Sequence, residues 1–212
     1  MRLASPIESL VPGLRGRVLG ALVRASQPLS LRELSRRAHS PSPSSVKRVV
    51  VELMDEGMLQ YALVSASSQF FELNRSHLIV GHLMSLDRAR DSVLDEIRSA
   101  VTSWLREPRA VVLFGSVARG EDTAASDIDL LIVWNVHTSI TEGSREECRQ
   151  LAERVHALTG NTLSIIEFTD DTWATALLTG DPFVNSIARD GLSLTGTSVR
   201  ALTKGNRRTM PR

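Results

Sequence analysis

The sequence predicts an α+β protein built in two parts, and three observations carry that expectation. Up to Gly57, apolar residues recur at helical spacing. Directly after Gly57 the apolar period shortens from about 3.6 residues to about 2, the mark of a hairpin. From Ala110 onward, continuous apolar runs at 110–114 and 128–133 alternate with polar and helical patterns. Such runs belong to strands of a sheet covered on both faces.

The first helix is predicted over 13–25, where Leu14, Val18, Leu22 and Ala25 share a face. Gln27-Pro28 breaks it. Ser30 with Glu33 three residues on has capping-box spacing and opens a short second helix ending near His39. Ser40-Pro41-Ser42-Pro43 reads as a turn, because each proline disfavours helix in the residue before it. A third helix starts near Ser44, turns Val46, Val49, Val50 and Leu53 inward, and is capped by Gly57. MLQYALV and QFFELN then read as two strands around Ser65-Ala66-Ser67-Ser68. Residues 77–106 read as one long helix carrying Leu86, Val93, Ile97, Val101 and Leu105. At 1.5 Å per residue it would be about 45 Å long, enough to link two domains or to form a dimer seam. Pro108 ends it. Strand 110–114, the turn Gly115-Ser116, one helical turn to Gly120, and strand 128–133 follow, then a helix over 144–159 capped by Gly160, a strand at 163–168, and partly helical sequence over 170–192. The expected divisions are 1–76, a linker helix 77–107, a second domain 108–196, and a basic tail 197–212.

Charge is unevenly spread. The formal net charge is +1 over 212 residues, but 1–76 carries ten Lys/Arg against six Asp/Glu, and the tail carries Arg200, Lys204, Arg207, Arg208 and Arg212 with no acid. Basic ends around an acidic middle suit contact with nucleic acid; a solubilising tail is the plainer alternative. No apolar run approaches the roughly 20 residues that span a bilayer, and no secretory leader is visible. Cys148 is the only cysteine. Intrachain disulfides and multi-cysteine zinc sites are thereby excluded, and a cytoplasmic location is expected. The five histidines form no ligand pair with acids at useful spacing. Trp104, Trp134 and Trp173 read as packing residues, with Trp134 also placed to stack on a base.

The residues that carry chemistry lie in the second half. Asp127 and Asp129 stand at i and i+2 on a strand and so share a face. They are embedded among Ile128, Leu130 and Leu131, where unpaired charge is costly. A divalent cation held by oxygens, Mg²⁺ or Mn²⁺, is the natural counter-charge. Gly115-Ser116 follows a strand and opens a helical turn, where backbone N–H groups can receive phosphate oxygens. Ser116 and Ser126 supply hydroxyls, and Arg119 a cation. These parts suit metal-assisted transfer from a nucleoside triphosphate.

Gly115-Ser116, ten residues, Asp127, one residue, Asp129 resembles the signature of the minimal nucleotidyltransferases of the DNA polymerase β superfamily, and FGSVARGEDTAASDIDLLIV (114–133) is similar to that family throughout. The resemblance covers about 108–195. It implies a mixed sheet flanked by helices, an NTP donor, and a divalent cation. Many members transfer AMP to a protein, a small molecule or RNA, and some act as the antitoxin of a paired toxin. Active members usually place a third carboxylate on a later strand. Here Ser164 falls at that position, and Glu167, three residues on, is the nearest acid. An ideal strand puts it on the opposite face, but a bulge or register shift could bring it round, and Glu167 is the candidate third catalytic carboxylate beside Asp127 and Asp129.

The order helix, helix, helix, hairpin in the first 76 residues resembles a winged helix-turn-helix domain, and LSLRELSRRAHSPSPSSVKRVVVELMDEGML (29–59) is similar to the two-helix core of winged helices in bacterial regulators. That resemblance places Ser42, Ser44, Ser45, Lys47 and Arg48 at the DNA groove and Arg32, Arg36 and Arg37 on the backbone. Ser65–Gln69, the wing tip, lacks Lys and Arg. The alternative for this domain is protein contact. Two functions stay open: NMP transfer to a protein or nucleic-acid acceptor, and a DNA-binding regulator or antitoxin that binds nucleotide or a partner without turnover.

Overall fold

The computed structural model describes residues 1–40, 42–65, 68–135 and 140–204. Pro41, residues 66–67, residues 136–139 and residues 205–212 lie outside the described residues. With them lie the centre of the expected wing tip, His137, and the part of the basic tail bearing Arg207, Arg208 and Arg212. The chain forms two compact units. One comprises Ala4–Arg90 with Arg2; the other runs from Asp91 onward and includes Met1 and Leu3.

The first unit contains α1 (Pro6–Leu10), α2 (Leu14–Val23), β1 (Leu29–Ser30), α3 (Leu31–Arg37), α4 (Pro43–Asp55), β2 (Leu59–Ser65), β3 (Ser68–Leu73) and α5 (Leu78–Asp87). The three strands form an antiparallel sheet in the order β1-β3-β2. The capping box at α3 is present: the Ser30 hydroxyl accepts from the Glu33 N–H, and the Glu33 carboxylate accepts from the Ser30 N–H at 2.9 Å. α4 begins one residue earlier than its pattern suggests, because Ser42 caps it and Pro43 takes the first helical position. Val46, Val49, Val50 and Leu53 all turn inward, and with Ile7, Val18, Leu22, Leu34, Phe71 and Val80 they form one core. Arg15 braces α2 against α4 through Glu52 and Glu56.

The helix expected over 77–106 is interrupted at Arg88 into α5 and α6 (Ala89–Thr102). No proline or glycine causes the break. Val80 and Leu83 of α5 belong to the first core, whereas Val93, Leu94, Ile97 and Val101 of α6 belong to another. Each half follows its own core, and the Arg88 N–H tightens onto Ser85 O at 3.2 Å.

The second unit continues with β4 (Ala110–Phe114), α7 (Gly115–Arg119), β5 (Ile128–Val133), α8 (Glu142–Thr159), β6 (Leu163–Phe168), α9 (Asp170–Thr179), α10 (Pro182–Asp190), β7 (Leu192–Gly196) and α11 (Val199–Thr203). The sheet order is β6-β5-β4-β7. β5 and β6 run parallel and the other pairs antiparallel, giving a mixed sheet flanked by helices. Strand alternation sorts side chains onto two faces. Val111, Leu113, Ile128, Leu130 and Ile132 meet α6 and α8; Ala110, Val112, Leu131 and Val133 meet α9, α10 and α11. Two elements escaped the sequence pattern: β7, whose LSLTG is short and largely polar, and α11, which starts inside the segment expected to be tail. Val199 and Leu202 are buried there.

Candidate functional site

The site is built where β4 ends and β5 begins. At Gly115 the chain turns with φ of +73°, and a Cβ there would lie 2.1 Å from Asp129 Oδ2 and 3.0 Å from Asp129 Cγ. Glycine is therefore demanded twice: by the left-handed backbone and by the carboxylate pressed against it. α7 follows directly, so its first free N–H groups begin next to Phe114, the residue paired with Asp129. The Ser116 hydroxyl makes no hydrogen bond among the described residues.

The return loop to β5 is fastened from below. Asn161, 4% exposed, donates through Nδ2 to Ser126 O at 2.8 Å, and the Ile128 N–H donates to Thr162 O at 2.8 Å. The buried Asp122 accepts from the Leu3 N–H at 2.6 Å, and the Met1 ammonium donates to Asn161 Oδ1 at 2.6 Å. Sequence reasoning missed Asn161 and Asp122. Their role depends on burial, and the only local signal was the polar pair Asn161-Thr162 between a helix cap and a strand. The loop also absorbs Ser126: its hydroxyl accepts from the Thr123 N–H at 2.9 Å and lies 3.2 Å from Thr123 Oγ1. Ser126 thus shapes the turn, rather than offering a free hydroxyl as expected.

Asp129 pairs with Phe114 of β4 on one side and Ser164 of β6 on the other. Asp127, just before β5, lies close enough for its charge to act on Asp129. Partial burial raises the Asp129 carboxyl above its ordinary value, the neighbouring Asp127 raises it further, and Arg119 opposes both. Arg119 donates to Glu121 Oε2 at 2.8 Å and lies 3.8 Å from Asp190 Oδ2. Asp190, at the end of α10, is held by Arg189 through contacts of 2.9–3.1 Å. Those hydrogen bonds keep its carboxyl below the usual carboxylate range. Asp190 and Arg189 also escaped the sequence analysis, since α10 meets α7 only through the tertiary fold.

Two adjacent carboxylates, one of them partly buried, fit a hard divalent cation. Among the described residues no group of three or more His, Cys, Asp or Glu is arranged to share a metal. Mg²⁺ commonly takes one or two carboxylates and completes its shell with water and substrate phosphates, so the pair is a sufficient donor set.

Glu167 does not join them. The β5–β6 register is unbroken, with Ile132 opposite Glu167 and Asp129 opposite Ser164, so no bulge rotates the strand. Glu167 is on the other face, where its Oε2 accepts from the Trp134 indole N–H at 2.9 Å. Trp134 itself is fully buried and stacks on Trp104 at 5.7 Å, leaving no face for a base. Cys148 is buried beneath the same face; burial, with Glu167 and Glu147 nearby, pushes its thiol up to about 12.

In the first unit, Arg32, Arg36, Arg37, Lys47 and Arg48 are exposed along α3 and α4. Arg48 lies 3.9 Å from Glu52. Ser42 is occupied as the α4 cap, accepting from the Ser45 N–H at 3.3 Å, and its hydroxyl lies 3.0 Å from those of Ser44 and Ser45. Ser42 is therefore a structural cap, while Ser44 stays exposed.

Comparison with known proteins bears on the second unit. Residues 94–179 match the family model of the nucleotidyltransferase domain, from within α6 to the end of α9. No significant match exists among curated proteins. Three solved structures are similar at low identity. A toxin–antitoxin complex with AMP-PNP is 16% identical, with a TM-score of 0.38 over 52% of this chain and 81% of that chain. A mutant of the toxin–antitoxin pair MntA-HpeT is 13% identical, with a TM-score of 0.38 over 52% and 81%. A protein of Sulfolobus solfataricus described as a candidate nucleotidyltransferase is 17% identical, with a TM-score of 0.29 over 50% and 82%. No helix among the described residues is long and apolar enough to cross a membrane.

Proposed function

We propose that this chain is a DNA-binding protein with a divalent-cation-dependent nucleotidyltransferase site, transferring NMP, AMP foremost, from an NTP to a protein or nucleic-acid acceptor. The observation that carries the reading is Asp129 on β5, with Asp127 just before the strand and Gly115 closed onto the Asp129 carboxylate. Asp127 and Asp129 would hold Mg²⁺ or Mn²⁺, which when bound neutralises charge on the triphosphate and on the leaving pyrophosphate. The Ser116 hydroxyl and the first N–H groups of α7 donate to phosphate oxygens. Arg119, restrained by Asp190 and Glu121, brings a guanidinium to the same anion. The acceptor hydroxyl attacks the α-phosphorus, an O–P bond forms as the bond to the pyrophosphate oxygen breaks, and the hydroxyl proton leaves to a carboxylate of the pair or to water.

The first unit supports a winged helix-turn-helix reading: α3 and α4 are the two-helix core, and β2–β3 the wing. α4 would enter the major groove with Ser44, Ser45, Lys47 and Arg48, and Arg32, Arg36 and Arg37 would meet phosphates. The domain divisions proposed with it are 1–76, 77–107 and 108–196, with a basic segment from 197. A homodimer on two half-sites and a cognate toxin as protein partner are further parts of the proposal.

A second reading is favoured by Ser164, which stands opposite Asp129 where a third acid would complete the site. Here the second unit binds nucleotide or a partner protein without turnover, and the chain is a transcriptional regulator or antitoxin. Calorimetric titration of NTP with and without Mg²⁺, followed by pyrophosphate release, decides between them on wild type and on Asp127→Ala/Asp129→Ala. Cation-dependent binding and release, both lost in the variant, establish the transferase. Binding without release across protein and nucleic-acid acceptors establishes the regulator. No binding rejects the nucleotide site and leaves the first unit as the functional half.

A further inference from the structure

The first unit gathers basic side chains around one open depression. The ends of α2 and α3 enclose an open depression of about 510 Å³ lined by Ala21, Arg24, Arg36, Arg37 and His39. Four of the five lining side chains are basic and none is acidic. Among the described residues the one acid ion-paired with a lining side chain is Asp87 of α5, which holds Arg24 at 2.7 Å from outside the lining, and Glu33 of α3 lies within the field of Arg37 and Arg36. Arg36 and Arg37 have no ion-pair partner within 4 Å among the described residues.

The backbone at His39 gives an independent reason to assign this depression a ligand. α3 ends in a Schellman turn: Ser40 N–H donates to Ser35 O at 3.0 Å and His39 N–H to Arg36 O at 3.2 Å. His39 occupies the left-handed position of that turn, with φ of +48°, the only residue other than glycine with positive φ among the described residues. Glycine fills such positions without strain. The turn is also fixed from outside, because Arg17 Nε donates to Ala38 O at 2.9 Å. The chain therefore carries an imidazole, at a conformational cost, where a side chain is least welcome. That imidazole stands among the guanidiniums, and its ring makes no hydrogen bond among the described residues. Backbone strain retained at one side chain points to a role for that side chain.

We infer that this depression is a phosphate seat in which Arg36, Arg37 and His39, with Arg24 at the edge, bind one phosphate group. The group comes either from a nucleic-acid backbone or from a free phosphate compound. Only the first source rests on the DNA-binding reading above.

The test uses the full chain, His39→Gly, Arg36→Gln/Arg37→Gln, and Lys47→Gln/Arg48→Gln on α4. Binding of a labelled mixed-sequence DNA duplex is followed by fluorescence anisotropy against salt. Binding of inorganic tripolyphosphate is followed by calorimetry in the Asp127→Ala/Asp129→Ala background, which removes the other site. His39→Gly should keep Tm or raise it by up to about 4 °C, yet weaken one of the two probes about 3- to 10-fold. Arg36→Gln/Arg37→Gln should weaken the same probe at least about tenfold and, for duplex, lower the salt slope by about 1. Loss on duplex assigns a backbone phosphate; loss on tripolyphosphate alone assigns a free phosphate compound. If both sets stay within twofold of wild type on both probes, the seat is refuted. If only Lys47→Gln/Arg48→Gln then weakens duplex, DNA binding stands without the seat. A fall in Tm on His39→Gly would make His39 a structural residue and also overturn the proposal.

Discussion

Replacing Gly115 by alanine tests the closeness on which the site depends. Two costs are superposed at this position. An L-residue at φ of +73° pays about 1–2 kcal/mol for the left-handed backbone. The new Cβ, 2.1 Å from Asp129 Oδ2, also forces the carboxylate off its position, and overpacking of this kind costs about 1–3 kcal/mol. Together they destabilise the second unit by about 2–5 kcal/mol. Gly160 supplies the internal control: its φ is also +73°, but a Cβ there meets nothing within 4 Å. Gly160→Ala should therefore cost only the backbone term. Any entropic gain from removing a glycine is common to both and cancels. Denaturant unfolding of Gly115→Ala, Asp129→Ala and the double variant closes a cycle. In the Asp129→Ala background the cost of Gly115→Ala should fall to that of Gly160→Ala, a coupling of about 1–3 kcal/mol. A coupling below about 0.5 kcal/mol would show that Asp129 does not lie against Gly115, and the description of the site would be wrong.

Three further outcomes are expected. Because the native Asp129 carboxyl is raised by burial and by Asp127, it holds its proton more tightly folded than unfolded, so its ionisation costs stability as pH rises through the native value. Asp129→Asn should match wild type below about pH 4 and become the more stable protein toward neutrality; urea midpoints across this range check the crossover. Ser164→Asp, on the strand position opposite Asp129, should raise Mn²⁺ or Mg²⁺ affinity by about tenfold, equivalent to ~1.4 kcal/mol. Calorimetry that finds no gain would mean that Ser164 does not share the dyad's space. With its thiol pushed up to about 12 and its side chain buried, Cys148 should react with a disulfide reagent at pH 8 only as fast as the second unit opens, and at the ordinary rate in denaturant.

Much of the site was legible because its residues are neighbours in sequence. Gly115, Ser116, Asp127 and Asp129 lie within one short strand–turn–strand segment, so a local pattern groups them, although Asp127 falls just before β5. The period-2 rule warned that Glu167 would point away, and an unbroken register keeps it there, bonded to Trp134. Asn161, Asp122 and Asp190 were not legible. Each acts across a long stretch of chain, and nothing in a local pattern separates a buried polar brace from an exposed one. The break at Arg88 was equally hidden: the helical period runs through it, and only the destination of each half, one core or the other, reveals it. Capping signals did better. Ser30 with Glu33 marked α3 correctly, while the hydroxyl of Ser42 was claimed by its own helix, a use that competes with any ligand.

The place of β7 in the sheet sets an order on how the second unit assembles. β7 pairs with β4, so Ala110 lies opposite Gly196, and the intervening chain must be gathered before that edge can close. During synthesis Gly115, Asp127 and Asp129 emerge early and can form their hairpin-like core with β4 and β5. Asp190 ends α10 immediately before β7, so it is made long after Arg119, which it approaches at 3.8 Å. The carboxylates thus exist as a local unit while Arg119 has only its neighbour Glu121 to hold it. A partly made chain would hold the acids in register with Arg119 tied to Glu121 alone, and the late-made Asp190 adds a second carboxylate beside that guanidinium.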